Sequence, residues 1–178
     1  RASPAARFMG PPSVLRLLAE WGVEEGRLFP AREAWEPLAP GLSVHAVPAA
    51  HPEIRRDPEG RLDCVGFVLQ RAGRRAYLAG DTSVKQALID ALAKLAPIDV
   101  AVLPVNEPNF FRARRGIIGN MSVREAFAMA DELGIGTVVP VHWDMFAANA
   151  VGLDEIRAVY AQMQPAFSLS IQPAHFPV

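Results

Sequence analysis

The sequence predicts an α/β layered fold. Segments of strand character fill the first half. After Gly80-Asp81 the apolar residues switch to helical spacing, and helices and strands then alternate almost to the C-terminus. The residues with the most chemical promise, His51, Asp81 and His142, each fall at or just beyond a strand end, where sheet folds assemble their sites.

In chain order, Ser13 to Trp21 reads as a short helix. Val14, Leu15, Leu17 and Leu18 share one side, Pro11-Pro12 precede it and Gly22 ends it. Leu28-Phe29 is a short extended segment and Pro40-Gly41 a turn. Leu42 to Pro48 reads as a strand, followed by a polar stretch from Pro52 to Gly60. Cys64 to Leu69 and Ala76 to Ala79 form the arms of a hairpin around Ala72-Gly73. Val84, Ala87, Leu88, Ala91, Leu92 and Leu95 recur at helical spacing until Pro97 stops them. Val100 to Val105 is a continuous apolar run, which marks a buried strand. A loop with two Phe and three Arg runs from Asn106 to Asn120. Ser122-Val-Arg-Glu125 has the pattern of a capping box, opening a helix that ends near Leu133-Gly134. Thr137 to Val141 is a strand with His142 at its end. Asp154 to Met163 is the last helix, and a short strand lies near Phe167 to Ile171.

The chain of 178 residues fits one domain or a large part of one. Apolar residues make up 51% and charged residues 21%, as in a core-forming globular chain. No apolar run reaches the roughly 18–20 residues of a membrane helix. With a net charge of −1 and no basic block, nucleic acid and membranes are poor candidates as partners. The single cysteine, Cys64, excludes an internal disulfide and fits the cytoplasm. The start at Arg1-Ala2-Ser3-Pro4, without Met or a signal pattern, reads as internal.

Alone, His51 in Pro48-Ala-Ala-His51-Pro reads as a surface-loop histidine. Asp81 in Tyr77-Leu-Ala-Gly-Asp-Thr82 is a carboxylate offered at a sheet edge, or part of a helix start. His142 in Thr137-Val-Val-Pro-Val-His142-Trp-Asp144 ends a β-branched strand beside Trp and Asp. His45 lies inside a strand, and His175 sits in the tail without context. Taken together, two imidazoles and a carboxylate form a mixed N/O ligand set suited to Zn2+, Mn2+ or Fe. A carboxylate can also bridge two metals about 3.5–4 Å apart, and such sites bring the pKa of a bound water down toward roughly 7.

Three short motifs, in this order, resemble the metallo-β-lactamase superfamily. Ala49-Ala50-His51 is similar to its third ligand motif, Gly80-Asp81-Thr82 to its aspartate motif, and Pro140-Val141-His142 to its last histidine motif. More narrowly, the chain resembles the ascorbate-6-phosphate lactonase (UlaG-like) branch. Gly10-Pro11 through Trp21-Gly22-Val23, the Gly116-Ile117 and Met121-Ser122 region, and Pro140 through Phe146 have counterparts there in order. The resemblance implies an αββα sandwich, present in residues 1–178 as a single partial domain without its N-terminal part. It implies His51 on a first metal, Asp81 bridging or binding the second, and His142 on the second, with Asp81 and His142 as the catalytic residues. The family's His-x-His-x-Asp-His motif does not occur in this chain, so the segment alone is expected to bind metal weakly and to show little activity.

Around this site, Trp143 and Asp144 are expected to border the pocket, with Asp144 able to take a proton from His142. Arg112, Arg114 and Arg115 fit an anionic substrate group, Arg115 being the residue singled out, although a solvated basic loop reads equally well. Asn120 is a turn residue first and a ligand contact second. The implied function is a metal-dependent hydrolase with two divalent ions, Zn2+ or Mn2+. Metal-bound hydroxide would attack a lactone or related ester, such as a phosphorylated sugar lactone. The alternatives are a phosphodiesterase or nuclease on the same fold, or a non-catalytic binding module. The expected partner is a small-molecule substrate, and self-association stays open. A Rossmann-like nucleotide binder is disfavoured, because no glycine-rich fingerprint follows a strand.

Overall fold

The computed structural model describes residues 3–116 and 119–171. Ile117 and His175, named above, lie outside them. Seven strands form one mixed sheet in the order β3-β4-β5-β6-β7-β8-β9: β3 (Glu36–Ala39), β4 (Leu42–Pro48), β5 (Val65–Arg71), β6 (Arg74–Leu78), β7 (Val100–Pro104), β8 (Thr137–Val141) and β9 (Ser168–Leu169). Pairing is antiparallel from β3 to β6 and parallel from β6 to β9. The change of sense coincides with the change of period in the sequence. Antiparallel neighbours need only a tight turn, whereas each parallel step needs a crossover, here through a helix. The β5–β6 turn is Ala72-Gly73, with φ of 50° and 78°, as a two-residue hairpin whose twist matches its strands requires.

The crossovers carry α2 (Gln86–Ala93), α4 (Val123–Glu132) and α5 (Leu153–Met163). Their apolar stripes meet one face of the sheet. Leu88, Leu92, Phe127, Met129 and Ile156 pack there against Val68, Tyr77, Ala101, Leu103 and Val138, all buried. The helix at 123 starts as its sequence indicates. The Ser122 hydroxyl accepts the Glu125 N–H at 3.2 Å, and the Glu125 carboxylate accepts the Ser122 N–H at 2.9 Å.

The opposite face of the sheet is apolar as well. Phe67 pairs with Leu78, Leu78 with Val102 and Val102 with Val139 across neighbouring strands, and this row is only partly covered. A sheet apolar on both faces belongs in the middle of a layered structure.

A separate parallel pair, β1 (Phe8–Gly10) and β2 (Leu28–Pro30), is joined by α1 (Pro12–Glu20). Val14, Leu17 and Trp21 stand exposed on or beside α1. β1, β3 and the single turn α3 (Phe110–Ala113) are elements that the sequence pattern does not announce. Each is too short to show a period, and the strands form only through pairing partners. Observed ends otherwise fall within a few residues of expectation: the helix expected to reach Leu95 stops at Ala93, with Val84 outside it.

Candidate metal centre

The site is built where β4, β6, β7 and β8 end. Beyond β4 the chain turns through Ala49, Ala50 and His51, and beyond β6 it turns through Gly80 and Asp81. These two turns are stitched together. The Ala50 N–H donates to the Thr82 hydroxyl at 2.9 Å, and the Ser83 N–H donates to the Ala50 carbonyl at 2.7 Å. The Ser83 hydroxyl also reaches the carbonyls of Ala50 and Pro52, each at 3.2 Å. Thr82 and Ala50 are both fully buried, so this seam fixes His51 relative to Asp81. Gly80, at φ 63°, gives the turn that presents Asp81 at the edge.

Asp81 and His142 meet. His142 Nε2 lies 3.4 Å from Asp81 Oδ1, with the imidazole side chain 13% exposed and the carboxylate 50%. His142 itself has φ 68°, a left-handed conformation that costs a residue with a Cβ about 1–2 kcal/mol. The residue leaves the line of β8, and its ring turns to the carboxylate. Backbone strain of this kind clusters at ligand and active sites.

Asn120 completes this wall. Its Nδ2 donates to Asp81 Oδ1 at 3.2 Å, and its backbone N–H donates to Asn106 Oδ1 at 2.9 Å. Both asparagines are buried. His51, Asp81, Asn120, His142, Phe146, Ala148 and Asn149 together line one open cavity of ≈ 280 Å3. A cavity of similar size, ≈ 270 Å3, lies between the β1–β2 pair and β3. It is lined by Phe8, Met9, Phe29 and Leu38 with Arg7, Arg32 and Glu36, and it holds no imidazole.

The residues present fit a divalent metal as part of its ligand set. Two donors held about 2.0–2.2 Å from one ion at a tetrahedral angle stand roughly 3.3–3.5 Å apart, and His142 and Asp81 are separated by 3.4 Å. Buried polar atoms without partners also concentrate here. Of seven such side-chain atoms among the described residues, four belong to cavity residues: His51 Nδ1, Asn120 Oδ1, His142 Nδ1 and Asn149 Oδ1. Buried groups left unpaired are costly, and native folds keep them where a ligand or water will meet them. Among the described residues, no three His, Cys, Asp or Glu side chains close into a single-ion cage. His51 therefore shares the cavity with the Asp81–His142 pair without joining it on one ion.

The other expected residues are placed differently. Trp143 packs against the hydrophobic core and does not line the cavity. Asp144 is exposed, and His142 Nδ1 has no hydrogen-bond partner, so the anticipated Asp144–His142 contact is not formed. Arg115 is exposed and outside the cavity, Arg114 stacks 5.8 Å from the Phe110 ring, and Arg112 pairs with Glu107 at 2.5 Å. The sequence reading missed Phe146 and Asn149. Phe146 lies 5.6 Å ring to ring from His142, and Asn149 is buried, its carbonyl accepting the Glu107 N–H at 3.0 Å. The only signal for Asn149 was proximity to His142 in the chain, while Phe146 closed the Pro140–Phe146 motif without a role of its own.

Residues 1–143 match the family described as "Beta-lactamase superfamily domain". A UPF0173 metal-dependent hydrolase of Methanoregula boonei is 33% identical over 119 residues, covering 63% of this chain and 48% of that protein. An uncharacterized protein of Mycobacterium tuberculosis is 28% identical over 141 residues, 79% of this chain and 38% of its own length. The chain thus spans less than half of these curated relatives. Among solved structures it is similar to Igni18, a novel metallo hydrolase from the archaeon Ignicoccus hospitalis, with TM-score 0.72 and 21% identity over 97% of this chain and 68% of that one. No helix among the described residues is long and apolar enough to cross a membrane.

Proposed function

From the premise that the chain belongs to the β-lactamase superfamily domain family, with a metallo-β-lactamase fold, we propose that it is the later portion of a metal-dependent hydrolase of the UlaG-like branch. His51, Asp81 and His142 hold its two divalent metal ions, and a lactone or related ester is its substrate. The observation that carries this reading is the convergence of these three side chains, from strand ends far apart in sequence, on one cavity.

His51 and His142 contribute imidazole nitrogens, and Asp81 contributes a carboxylate able to serve two ions. A bound divalent metal, Zn2+ or Mn2+, would supply an acidified water and polarise the bond under attack. The chain's own residues do the rest. The Thr82–Ala50 seam holds His51 in register with Asp81. Asn120 holds the carboxylate from the side. Phe146 stands against the His142 ring in the cavity wall.

An ester is favoured over a phosphodiester because, among the described residues, no Lys or Arg lines the cavity. The single cysteine, Cys64, exposed and unpaired, fits a reducing compartment.

Metal analysis of the complete protein, with a hydrolysis screen over lactones and phosphodiesters, tests this reading. Alanine at 51, 81 or 142 is expected to lower bound metal and to abolish turnover. Metal content unchanged in all three variants would sink the site assignment. Tight metal binding with no turnover of either class would favour a binding module.

A further inference from the structure

The Asn120 side chain is fixed in its orientation by what its amide meets. Its Nδ2 faces Asp81 Oδ1 at 3.2 Å. A carboxylate only accepts hydrogen bonds, so the amide cannot be flipped: the NH2 group must face Asp81, and the carbonyl must point away. That carbonyl, Asn120 Oδ1, is buried with no partner, on a residue that is 4% exposed and lines the cavity. The residue has little freedom to turn. Its N–H is pinned by Asn106, which is 1% exposed and whose own N–H donates to the Met121 carbonyl at 3.0 Å. Gly119, just before it, sits tightly, since a Cβ there would stand 3.0 Å from Pro108 and 3.2 Å from Asn106 Oδ1, and these neighbours would have to give way by a few tenths of an ångström.

Asn120 Nδ2 and His142 Nε2 converge on the same oxygen of Asp81, and no hydrogen bond among the described residues occupies Oδ2. The carboxylate is thereby held with Oδ1 beside His142 Nε2, the pair whose 3.4 Å spacing fits one ion.

We infer that Asn120 is a positioning residue that orients the Asp81 carboxylate for metal, its NH2 group holding Oδ1 beside the His142 imidazole. This rests on the metal-dependent hydrolase reading above.

The test uses the complete protein and its Asn120→Leu and Asn120→Ala variants, with urea unfolding in excess chelator to establish that each folds. Zn2+ and Mn2+ affinities are read by competition with a chromophoric chelator. A lost ligand-orienting partner is expected to weaken metal by about 10–100-fold. Metal affinity unchanged within about twofold in a folded variant overturns the positioning role. A wild type that binds no metal refutes the underlying reading and this inference with it. A wild type that binds metal but hydrolyses neither lactones nor phosphodiesters removes the ester reading, and the affinity comparison still decides the positioning role.

Discussion

Replacing Thr82 with Val separates the hydroxyl from the shape of the side chain. The two residues have nearly the same volume, so no cavity opens. What disappears is the acceptor for the Ala50 N–H at 2.9 Å and the donor to the Ser83 carbonyl at 3.0 Å. Ala50 is fully buried, so its N–H would be left without a partner and without water. Such an orphan costs about 1–3 kcal/mol. The Ser83 contacts to the Ala50 carbonyl survive the change and keep the turns together, which places the expectation near the middle of that range. A loss of ~2 kcal/mol corresponds to a Tm lower by about 4–8 °C for a chain of this size. The urea midpoint should fall by roughly 1 M at unchanged slope. Thr82→Ser, which keeps the hydroxyl, should recover most of the loss. Because the same bond holds His51 in register, Thr82→Val should also weaken metal binding in the complete protein. The reasoning fails if Thr82→Val unfolds like wild type, or if Thr82→Ser is as destabilised as Thr82→Val. The second result would assign the effect to methyl packing.

Two further outcomes follow from groups away from the cavity. Tyr77 is fully buried with a hydroxyl that bonds nothing among the described residues, and burial pushes that phenol far above its usual pKa; Tyr77→Phe should therefore raise stability by about 1–2 kcal/mol in urea unfolding, and a loss of stability would reveal a partner for the hydroxyl. At the start of β7, the Arg75 N–H at 2.8 Å and, after it, the Arg74 guanidinium at 2.6 Å hold the Asp99 carboxyl below the usual range. A depressed folded pKa means that this stabilisation is complete above the ordinary carboxylate pKa of about 4 and is lost as pH falls through the lower folded value. Asp99→Asn should accordingly flatten the acid limb of the stability–pH curve, and an unaltered limb would show that the contact contributes nothing.

Those elements that announce themselves locally were readable from the chain. Ser122 and Glu125 form the capping box that their spacing implies, and Ala72-Gly73 makes the hairpin. The helices packed on the sheet follow the apolar period. The three expected ligands share a cavity, because strand ends along one edge of a sheet are neighbours whatever their separation in sequence. What escaped depends on pairing or burial at a distance. Glu36–Ala39 contains a proline and becomes a strand only by adding to the edge of β4. Phe110–Ala113 is one turn, capped by the Asn109 side chain. Asn106, Asn120 and Asn149 read as loop residues, since a polar side chain in a polar stretch gives no sign that the fold will enclose it. The guanidiniums of the same loop drew attention by their charge, yet they stack on a ring, pair with a carboxylate or face solvent.

The backbone at His142 sets two demands against each other. Glycine would relax there, since a left-handed bend suits it, but glycine has no nitrogen to offer a cation. A protein that keeps an imidazole at this bend gives up folding stability for binding, and occupancy of the cavity should return some of it, because an ion that binds only the folded chain pulls the equilibrium toward that state. Resistance to heat in such a protein would then vary with the metal content of the solution around it.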